Sequence, residues 1–227
     1  MNQFVTPRPK RAQITWIGIV LIICGFLLWV ILFRLRKEER DPTTEFGVGS
    51  KLPALQLQPL TGATQPVDLK SIEGKVVLLN FWGTWCPPCV REFPHLAAIN
   101  QEFADRPDFQ YLSVSCSGGD DSGEGINDLR TLTERFMQEQ NIVHPTYYDA
   151  NGTTRGILSL AKLFQAYPTT FILDKSGAIR GVWQGFPEGA DGQMRSIIES
   201  LLGPTPKPPA DPPAAEAPPV EKSETSS

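Results

Sequence analysis

The spacing of hydrophobic and polar residues divides the 227-residue chain into segments of different character. Residues 14–33 form an apolar stretch without a charged side chain. A helix of that length spans about 30 Å, the thickness of a bilayer's hydrocarbon core. Residues 203–227 contain eight prolines and no aromatic residue, too little apolar surface to offset the entropy of ordering. The pattern predicts an N-terminal flank, a transmembrane anchor, a linker, one globular domain and a disordered proline-rich tail, at residues 1–13, 14–33, 34–49, 50–202 and 203–227.

The globular segment alternates strand-like and helix-like patterns. Residues 76–81 (VVLLNF) form a run typical of a strand buried on both faces. Helical spacing follows from Pro87 to about Phe103, with a kink predicted at Pro94. Strand–helix alternation that ends in an antiparallel hairpin predicts an α/β sandwich. The other predicted elements are an N-terminal hairpin with strands at 55–57 and 67–69, strands at 109–114, 146–148, 169–173 and 178–183, and helices at 126–140, 154–164 and 190–202.

The apolar stretch at residues 14–33 has a second interpretation, a cleaved signal peptide. A signal peptide ends in small residues at a cleavage site, whereas this stretch runs directly into Arg34. We therefore predict an uncleaved anchor embedded in membrane lipid. Three Lys or Arg residues precede it and four follow within residues 34–40, so the flanking charges do not favour a cytoplasmic N-terminus. The prediction that the domain lies outside the cytoplasm rests instead on the cysteine chemistry and on a resemblance carried by the cysteine motif.

A Cys-x-x-Cys motif stands where the buried strand gives way to the helix. Cys86 lies at the predicted helix N-terminus, where unpaired N–H groups and the helix dipole favour a negatively charged sulfur. We expect the pKa of Cys86 to fall below the free value of about 8.5, which provides a thiolate near neutral pH. Cys89 follows one turn later and faces inward. The motif predicts that Cys86 attacks a substrate disulfide and that Cys89 resolves the mixed disulfide.

Two separated motifs carry a resemblance to a known family. Residues 80–89 (NFWGTWCPPC) resemble the active-site region of thioredoxin-like proteins. The longer run 81–94 (FWGTWCPPCVREFP) resembles the membrane-anchored TlpA/ResA group of thiol–disulfide oxidoreductases, and residues 167–171 (YPTTF) match the segment that carries the cis-proline of the fold. Over about residues 50–202, the resemblance implies a three-layer sandwich with a central mixed sheet, helices on both faces and an N-terminal hairpin.

The resemblance also implies which residues bind the substrate. Pro168 would be cis and would remove an N–H beside the disulfide, so that the backbone of Tyr167 can pair with an extended substrate. Thr169 continues the same segment. Trp85 and Pro87, on either side of the first cysteine, would complete the contact surface. No cofactor beyond the redox-active disulfide is implied.

Glu92 matches a glutamate that members of this group place near the cysteine pair. A carboxylate there would take and return the proton of Cys89 and, while ionised, raise the pKa of the thiols. The alternative is a solvated charge on the helix surface. Asn80 occupies the strand position where thioredoxins carry a buried acid. Because an amide cannot shuttle a proton, this departure gives Glu92 more weight.

The dipeptide between the cysteines predicts the direction of the chemistry. Pro87 and Pro88 have no N–H, so only N–H groups from Cys89 onward can donate to the sulfur of Cys86. Pro87 also suits the first helical position, where an N–H would have no partner. We expect modest thiolate stabilisation and therefore a reducing, rather than strongly oxidising, pair.

The sequence gives weaker support for a functional role of the remaining candidate residues. Trp82 and Trp85 either shape the contact surface or pack half-buried. Cys116, at the end of the next strand, is either a third redox thiol or, as we favour, a buried small hydrophobe. Cys24 lies within the apolar stretch and is most simply a packing or lipid-facing residue. We predict that His95 lies at the surface and that His144 stands at a turn or strand end. A metal site would need both motif cysteines and a distant partner, so none is predicted.

We interpret the chain as a membrane-tethered oxidoreductase acting on protein disulfides. In the resembled group, such reductants keep the haem-binding cysteines of apocytochromes c reduced or serve other exported proteins, and a membrane thiol carrier supplies their electrons. A copper chaperone of the same fold would use a longer cysteine spacing and a histidine. A thiol peroxidase would carry threonine where Gly83 stands, and a purely structural disulfide would stabilise so short a loop little. With a formal net charge of −4 and no basic run outside the membrane flanks, nucleic-acid binding has no support.

Overall fold

A computed structural model describes residues 20–30, 41–44, 46–118 and 125–204. These residues belong to two separate units, Met1–Asp41 and Pro42–Ser227. In the first unit, residues 20–30 are helical, with Cys24 exposed. None of the helices that the structure describes is long and apolar enough to cross a membrane. The rest of the predicted anchor (14–19 and 31–33), the flank (1–13), residues 34–40 of the linker and residues 205–227 of the tail lie outside the described residues.

The second unit contains one seven-stranded sheet in the order β2-β1-β5-β4-β3-β6-β7. The pairs β3–β4 and β4–β5 are parallel, and the other pairs are antiparallel, so the sheet is mixed as the resemblance implied. The strands are β1 Gln56–Thr61, β2 Val67–Asp68, β3 Val76–Trp82, β4 Phe109–Ser115, β5 Thr146–Tyr148, β6 Thr169–Leu173 and β7 Ile179–Gln184, and the α-helices are α1 Pro87–Glu102, α2 Ile126–Glu139, α3 Thr153–Leu160 and α4 Ala190–Leu202.

The central strand β3 is buried along its whole length. Alternate side chains point to opposite faces of a strand, so β3 contributes to two apolar clusters. Val77, Leu79 and Phe81 belong to the cluster that also contains Leu158 of α3. Val76 and Leu78 belong to a second cluster, which contains core residues of both α1 and α4, namely Leu96, Ile99, Met194 and Ile198. Helices therefore cover both faces of the sheet, which explains the unbroken apolar run in the sequence.

The predicted elements are confirmed, with shifts at their ends. The N-terminal hairpin pairs β1 with β2, and the C-terminal hairpin pairs β6 with β7. The helix predicted at 154–164 ends earlier, at Leu160, because the backbone of Lys162 turns into the left-handed region with φ of 58°. Pro94 lies inside α1, and the helix continues past it to Glu102.

Candidate active site

The cysteine pair lies at the beginning of α1 and forms a disulfide, with 5.2 Å between the two Cα atoms. Cys86 is the N-cap of the helix, with an extended backbone (φ −101°, ψ 104°) and prolines at the first two helical positions. The N–H of Cys89 donates to the Sγ atom of Cys86 over 3.4 Å. This sulfur therefore lies at the positive end of the helix dipole, and its donor is the first N–H that the two prolines leave available.

The two sulfurs differ in accessibility. Cys86 is 4% exposed, whereas Cys89 is fully buried. Beside them, Trp85 is 44% exposed and Pro87 is exposed. Cys86 is therefore the cysteine nearer to solvent, and both cysteines belong to an apolar cluster with Trp82, Phe93 and Phe136.

Glu92, one turn after Cys89, is completely buried, so the alternative of a solvated surface charge is wrong. The Nδ2 atom of Asn80 donates to Oε2 of Glu92 over 2.9 Å. The hydroxyl of Thr170 donates to Oε1, also over 2.9 Å. Burial raises the pKa of Glu92 to about 7, although both hydrogen bonds act in the opposite direction. A carboxyl group that titrates near neutral pH can both take and return a proton.

The hydrogen bonds around Glu92 suit its ionised form. The Nδ2 group of Asn80 donates a second hydrogen bond, to the hydroxyl oxygen of Thr170, over 2.8 Å. That contact directs the hydroxyl proton of Thr170 towards Glu92. When Glu92 is protonated, one of its oxygens becomes a donor, and the Thr170 hydroxyl must rotate to accept from it. The trio therefore accommodates both states of the carboxyl group with the movement of a single hydroxyl.

The cis-proline segment lies beside the cysteine motif, as the resemblance implied. The peptide bond between Tyr167 and Pro168 is cis. The ring of Tyr167 packs edge-to-face against Trp85, with 5.1 Å between ring centroids. Tyr167 is half-buried, whereas Pro168 and Thr169 are buried, and the Thr169 hydroxyl donates to the carbonyl of Ala166. Of the predicted substrate-binding residues, Trp85, Pro87 and Tyr167 therefore form the accessible surface.

Trp85 packs between the loop at residues 116–118 and the ring of Tyr167. Its indole Nε1 donates to the carbonyl of Cys116 over 3.0 Å. Gly118 lies against the ring, and a Cβ atom added there would stand 2.9 Å from Cγ of Trp85.

Trp82, the other tryptophan of the motif, is fully buried, and its indole N–H donates to the hydroxyl of Ser113. The interpretation of Trp82 as part of the contact surface is therefore wrong.

Cys116 is 2% exposed, and its thiol donates to the carbonyl of Val114 over 3.6 Å. Its neighbourhood is polar as well as apolar, because Arg155 donates to the Tyr167 hydroxyl over 2.6 Å and pairs with Asp149 over 3.1 Å. Burial is first, and charge on Cys116 second, among the causes that raise the pKa of Tyr167. The burial of Cys116 agrees with the favoured interpretation of a buried small hydrophobe, in a neighbourhood that also contains polar groups.

The two histidines differ in environment. His95 is exposed, as predicted, and pairs with Asp191 over 3.2 Å. His144 is 9% exposed and lies between the rings of Phe93 and Tyr111, with centroid distances of 5.3 and 4.8 Å. Within the described ranges, no group of three or more His, Cys, Asp or Glu side chains is arranged to hold a metal ion.

Sequence reasoning did not find Thr170, Tyr111 or His144 as neighbours of the site. Thr170 lies opposite Asn80 in the β3–β6 ladder, and that register brings the two residues to Glu92. The sequence offered one usable signal, the position of Thr170 two residues after the predicted cis-proline. Tyr111 and His144 carried no comparable signal, because an aromatic residue in a strand and a histidine before a proline are ordinary features.

The fold and site together define a thioredoxin-like protein with a disulfide-bonded cysteine pair at a helix N-terminus. Residues 48–182 match the model of the AhpC/TSA family, which is more than half of the chain. The chain therefore belongs to the AhpC/TSA family.

Similar proteins include thiol–disulfide oxidoreductases and a thioredoxin-like protein. The chain is 26% identical over 186 residues to the thiol-disulfide oxidoreductase ResA of Oceanobacillus iheyensis, covering 81% of this chain and 88% of that protein. It is 28% identical over 169 residues to the thioredoxin-like protein YneN of Bacillus subtilis, covering 74% and 88%. Among solved structures, a thiol:disulfide interchange protein DsbE from Chlorobium tepidum superposes with a TM-score of 0.55 at 23% identity, covering 70% of this chain and all of that one, and supports the fold. The predicted enzyme class, a thiol–disulfide oxidoreductase, is confirmed.

Proposed function

We propose that the protein is a membrane-tethered reductase of disulfides in exported proteins, for example apocytochrome c, with its catalytic domain outside the cytoplasm. The observation that carries the chemistry is the Cys86–Cys89 disulfide at the N-terminus of α1, one turn before the buried Glu92. The relatives named thiol-disulfide oxidoreductase ResA support the oxidoreductase class. The apolar stretch at residues 14–33 supports the tether, with membrane lipid as its partner.

In the reduced protein, Cys86 is the attacking group. Its thiolate forms a bond to one sulfur of the substrate disulfide, and the other substrate sulfur leaves as a thiolate that takes a proton from solvent. The helix N-terminus stabilises the Cys86 thiolate before the attack. Trp85, Pro87 and Tyr167 present the accessible surface on which the client lies.

Cys89 then completes the exchange. Glu92 accepts the proton of the Cys89 thiol, and the new thiolate attacks the sulfur of Cys86 in the mixed disulfide. The bond to the substrate breaks, the second substrate sulfur leaves, and the enzyme disulfide forms. Two electrons pass from the cysteine pair to the substrate, and a membrane thiol carrier would restore them.

The test is the reduction of insulin by the full-length chain in mild detergent, with dithiothreitol as the electron source. We expect precipitation of the released insulin B chain, and Cys86→Ala should abolish the acceleration. In cells, Cys89→Ala should accumulate mixed disulfides with exported proteins, because the resolving sulfur is missing. Trapped clients found only in the cytoplasm would contradict the proposed location. A redox potential near that of strongly oxidising periplasmic enzymes would contradict the reducing direction.

A further inference from the structure

Tyr167 directly precedes the cis-proline, and its ring has aromatic contacts on two sides. It packs edge-to-face against Trp85 and against Phe164, each with 5.1 Å between ring centroids. Trp85 is itself fixed by the hydrogen bond from its indole N–H to the carbonyl of Cys116. The orientation of the Tyr167 ring therefore helps to determine the shape of the accessible surface beside the cysteine pair.

Arg155 of α3 holds the hydroxyl end of Tyr167. Its Nη1 atom donates to the Tyr167 hydroxyl oxygen over 2.6 Å. Hydrogen bonds from a charged donor are shorter and about twice as strong as those between neutral groups. The side chain of Arg155 is only 15% exposed, so water competes little for this contact. Because the hydroxyl is the far end of the side chain, this hydrogen bond restricts both torsions of the tyrosine.

Asp149 fixes Arg155 in turn. Its carboxylate accepts from Nε of Arg155 over 3.1 Å, and the side chain of Asp149 is completely buried. The same carboxylate accepts from the backbone N–H groups of Thr154 and Arg155, each over 2.8 Å. Both of these N–H groups belong to the first turn of α3. The guanidinium therefore connects Tyr167 to the N-terminus of a helix, which is a rigid support.

Cys116 also lies beside the Tyr167 hydroxyl. Burial, followed by charge on Cys116, raises the pKa of Tyr167, and a hydrogen bond to Cys116 acts in the same direction. The hydroxyl therefore stays protonated at neutral pH, and it can donate towards Cys116 while its oxygen accepts from Arg155. Because the hydroxyl has these partners within the protein, a client would contact the ring and the backbone of Tyr167.

We propose that Arg155 is a positioning residue for client recognition, which holds the Tyr167 ring against Trp85 in the orientation that a client peptide requires. The inference rests on the proposed function, in which Trp85 and Tyr167 form part of the surface for the client. A ring that is already ordered lowers the entropy that binding must overcome. A small disulfide has no peptide chain to align on this surface, so its reduction should not depend on Arg155.

The principal experiment follows a single turnover of the full-length chain in mild detergent, after reduction and removal of the reductant. Rates at increasing concentrations of insulin, measured by acid quenching and thiol labelling, give a half-saturating concentration and a limiting rate. We expect Arg155→Met to raise the half-saturating concentration about tenfold, the lower end of the effect of one hydrogen bond to a charged group. The limiting rate, and the rate constant with a small aromatic disulfide, should stay within about twofold of the wild type.

A second variant tests the same hydrogen bond from its other end. Arg155→Met leaves the buried Asp149 without its ion-pair partner, whereas Tyr167→Phe keeps that pair and removes only the hydroxyl. We expect Tyr167→Phe to raise the half-saturating concentration of insulin as much as Arg155→Met does. The double variant should show no further rise, because both substitutions remove one and the same contact.

The chain offers a matched control in another arginine–aspartate pair. Arg180 pairs with Asp174 over 2.6 Å, just beyond the end of β6 that lies away from Pro168. Arg180→Met removes a guanidinium and an ion pair of the same type as Arg155→Met does. It should change neither the half-saturating concentration of insulin nor the limiting rate.

The failure of the positioning role and the failure of the proposed function give different results. If the wild type reduces the small disulfide but not insulin, the proposed function is wrong, and the role of Arg155 is wrong with it. If the wild type reduces insulin and Tyr167→Phe has the same half-saturating concentration, only the positioning role is wrong. The positioning role is also overturned if the two substitutions add in the double variant, or if they lower the limiting rates with both substrates.

Discussion

The burial of Glu92 makes the stability of the protein depend on pH in a way that one substitution removes. Glu92→Gln keeps the size and shape of the side chain but cannot ionise. In the folded protein, burial raises the pKa of Glu92 from 4.5 to about 7. Because this pKa is higher in the folded state than in the unfolded state, the folded protein binds more protons between these two values.

The sign and size of the effect follow from that shift. Below pH 4.5 the carboxyl group is protonated in both states, and its favourable contribution is fully present. As the pH rises through about 7, the folded protein must hold a buried carboxylate, and the contribution is lost. Each pH unit of separation corresponds to about 1.4 kcal/mol, so the raised pKa of Glu92 lowers the free energy of unfolding by about 3 kcal/mol in total.

The assay is urea unfolding of the oxidised protein at pH 5 and pH 8, without reductant, so that the Cys86–Cys89 disulfide stays intact. The free energy of unfolding of Glu92→Gln, relative to that of the wild type, should increase by about 2.5 kcal/mol from pH 5 to pH 8, because part of the total effect is already present at pH 5. Glu139→Gln, at an exposed position near the end of α2, is the control and should change this difference by less than about 0.5 kcal/mol. If Glu92→Gln and the wild type show parallel pH dependence, the burial argument for Glu92 is refuted.

Two further predictions concern the neighbours of the site. Thr170→Val removes a hydrogen-bond donor to Glu92, so we expect the pKa of Glu92 to rise further, by about one pH unit or more, in a carbon-13 NMR titration. An unchanged or lower pKa would contradict the described hydrogen bond. Gly118→Ala places a methyl group against Trp85, so insulin reduction should fall about tenfold while reduction of a small disulfide is retained. Gly156→Ala, where nothing lies within 4 Å of the added atom, should change neither rate.

The sequence alone determined the features that depend on neighbouring residues. The apolar run of β3 requires a sheet covered on both faces, whichever elements cover it. The beginning of α1 is equally local, because an N-cap sulfur and prolines at the first two helical positions lie within four consecutive residues. The inference that Cys89 provides the first available N–H for Cys86 used only the covalent structure of proline, and the observed hydrogen bond agrees with it.

The tertiary structure decided the environment of the polar residues. A glutamate in a helix is exposed by default, and Glu92 is buried only because α1 packs on β3 and β6. Its partners Asn80 and Thr170 are 12 and 78 residues away in sequence, and strand register brings them together. The two interpretations of Trp82 could not be separated for the same reason, since a tryptophan beside a catalytic motif is compatible with either exposure or burial.

The contrast has a single physical origin. Backbone conformation and apolar periodicity are set within a few residues, so they can be predicted from the order of amino acids. The pKa of a carboxyl group and the accessibility of a sulfur depend on how much water the surrounding elements exclude. That exclusion of water arises only after the chain has folded, because residues from α1, α2, β3 and β6 together surround Glu92 and Cys89.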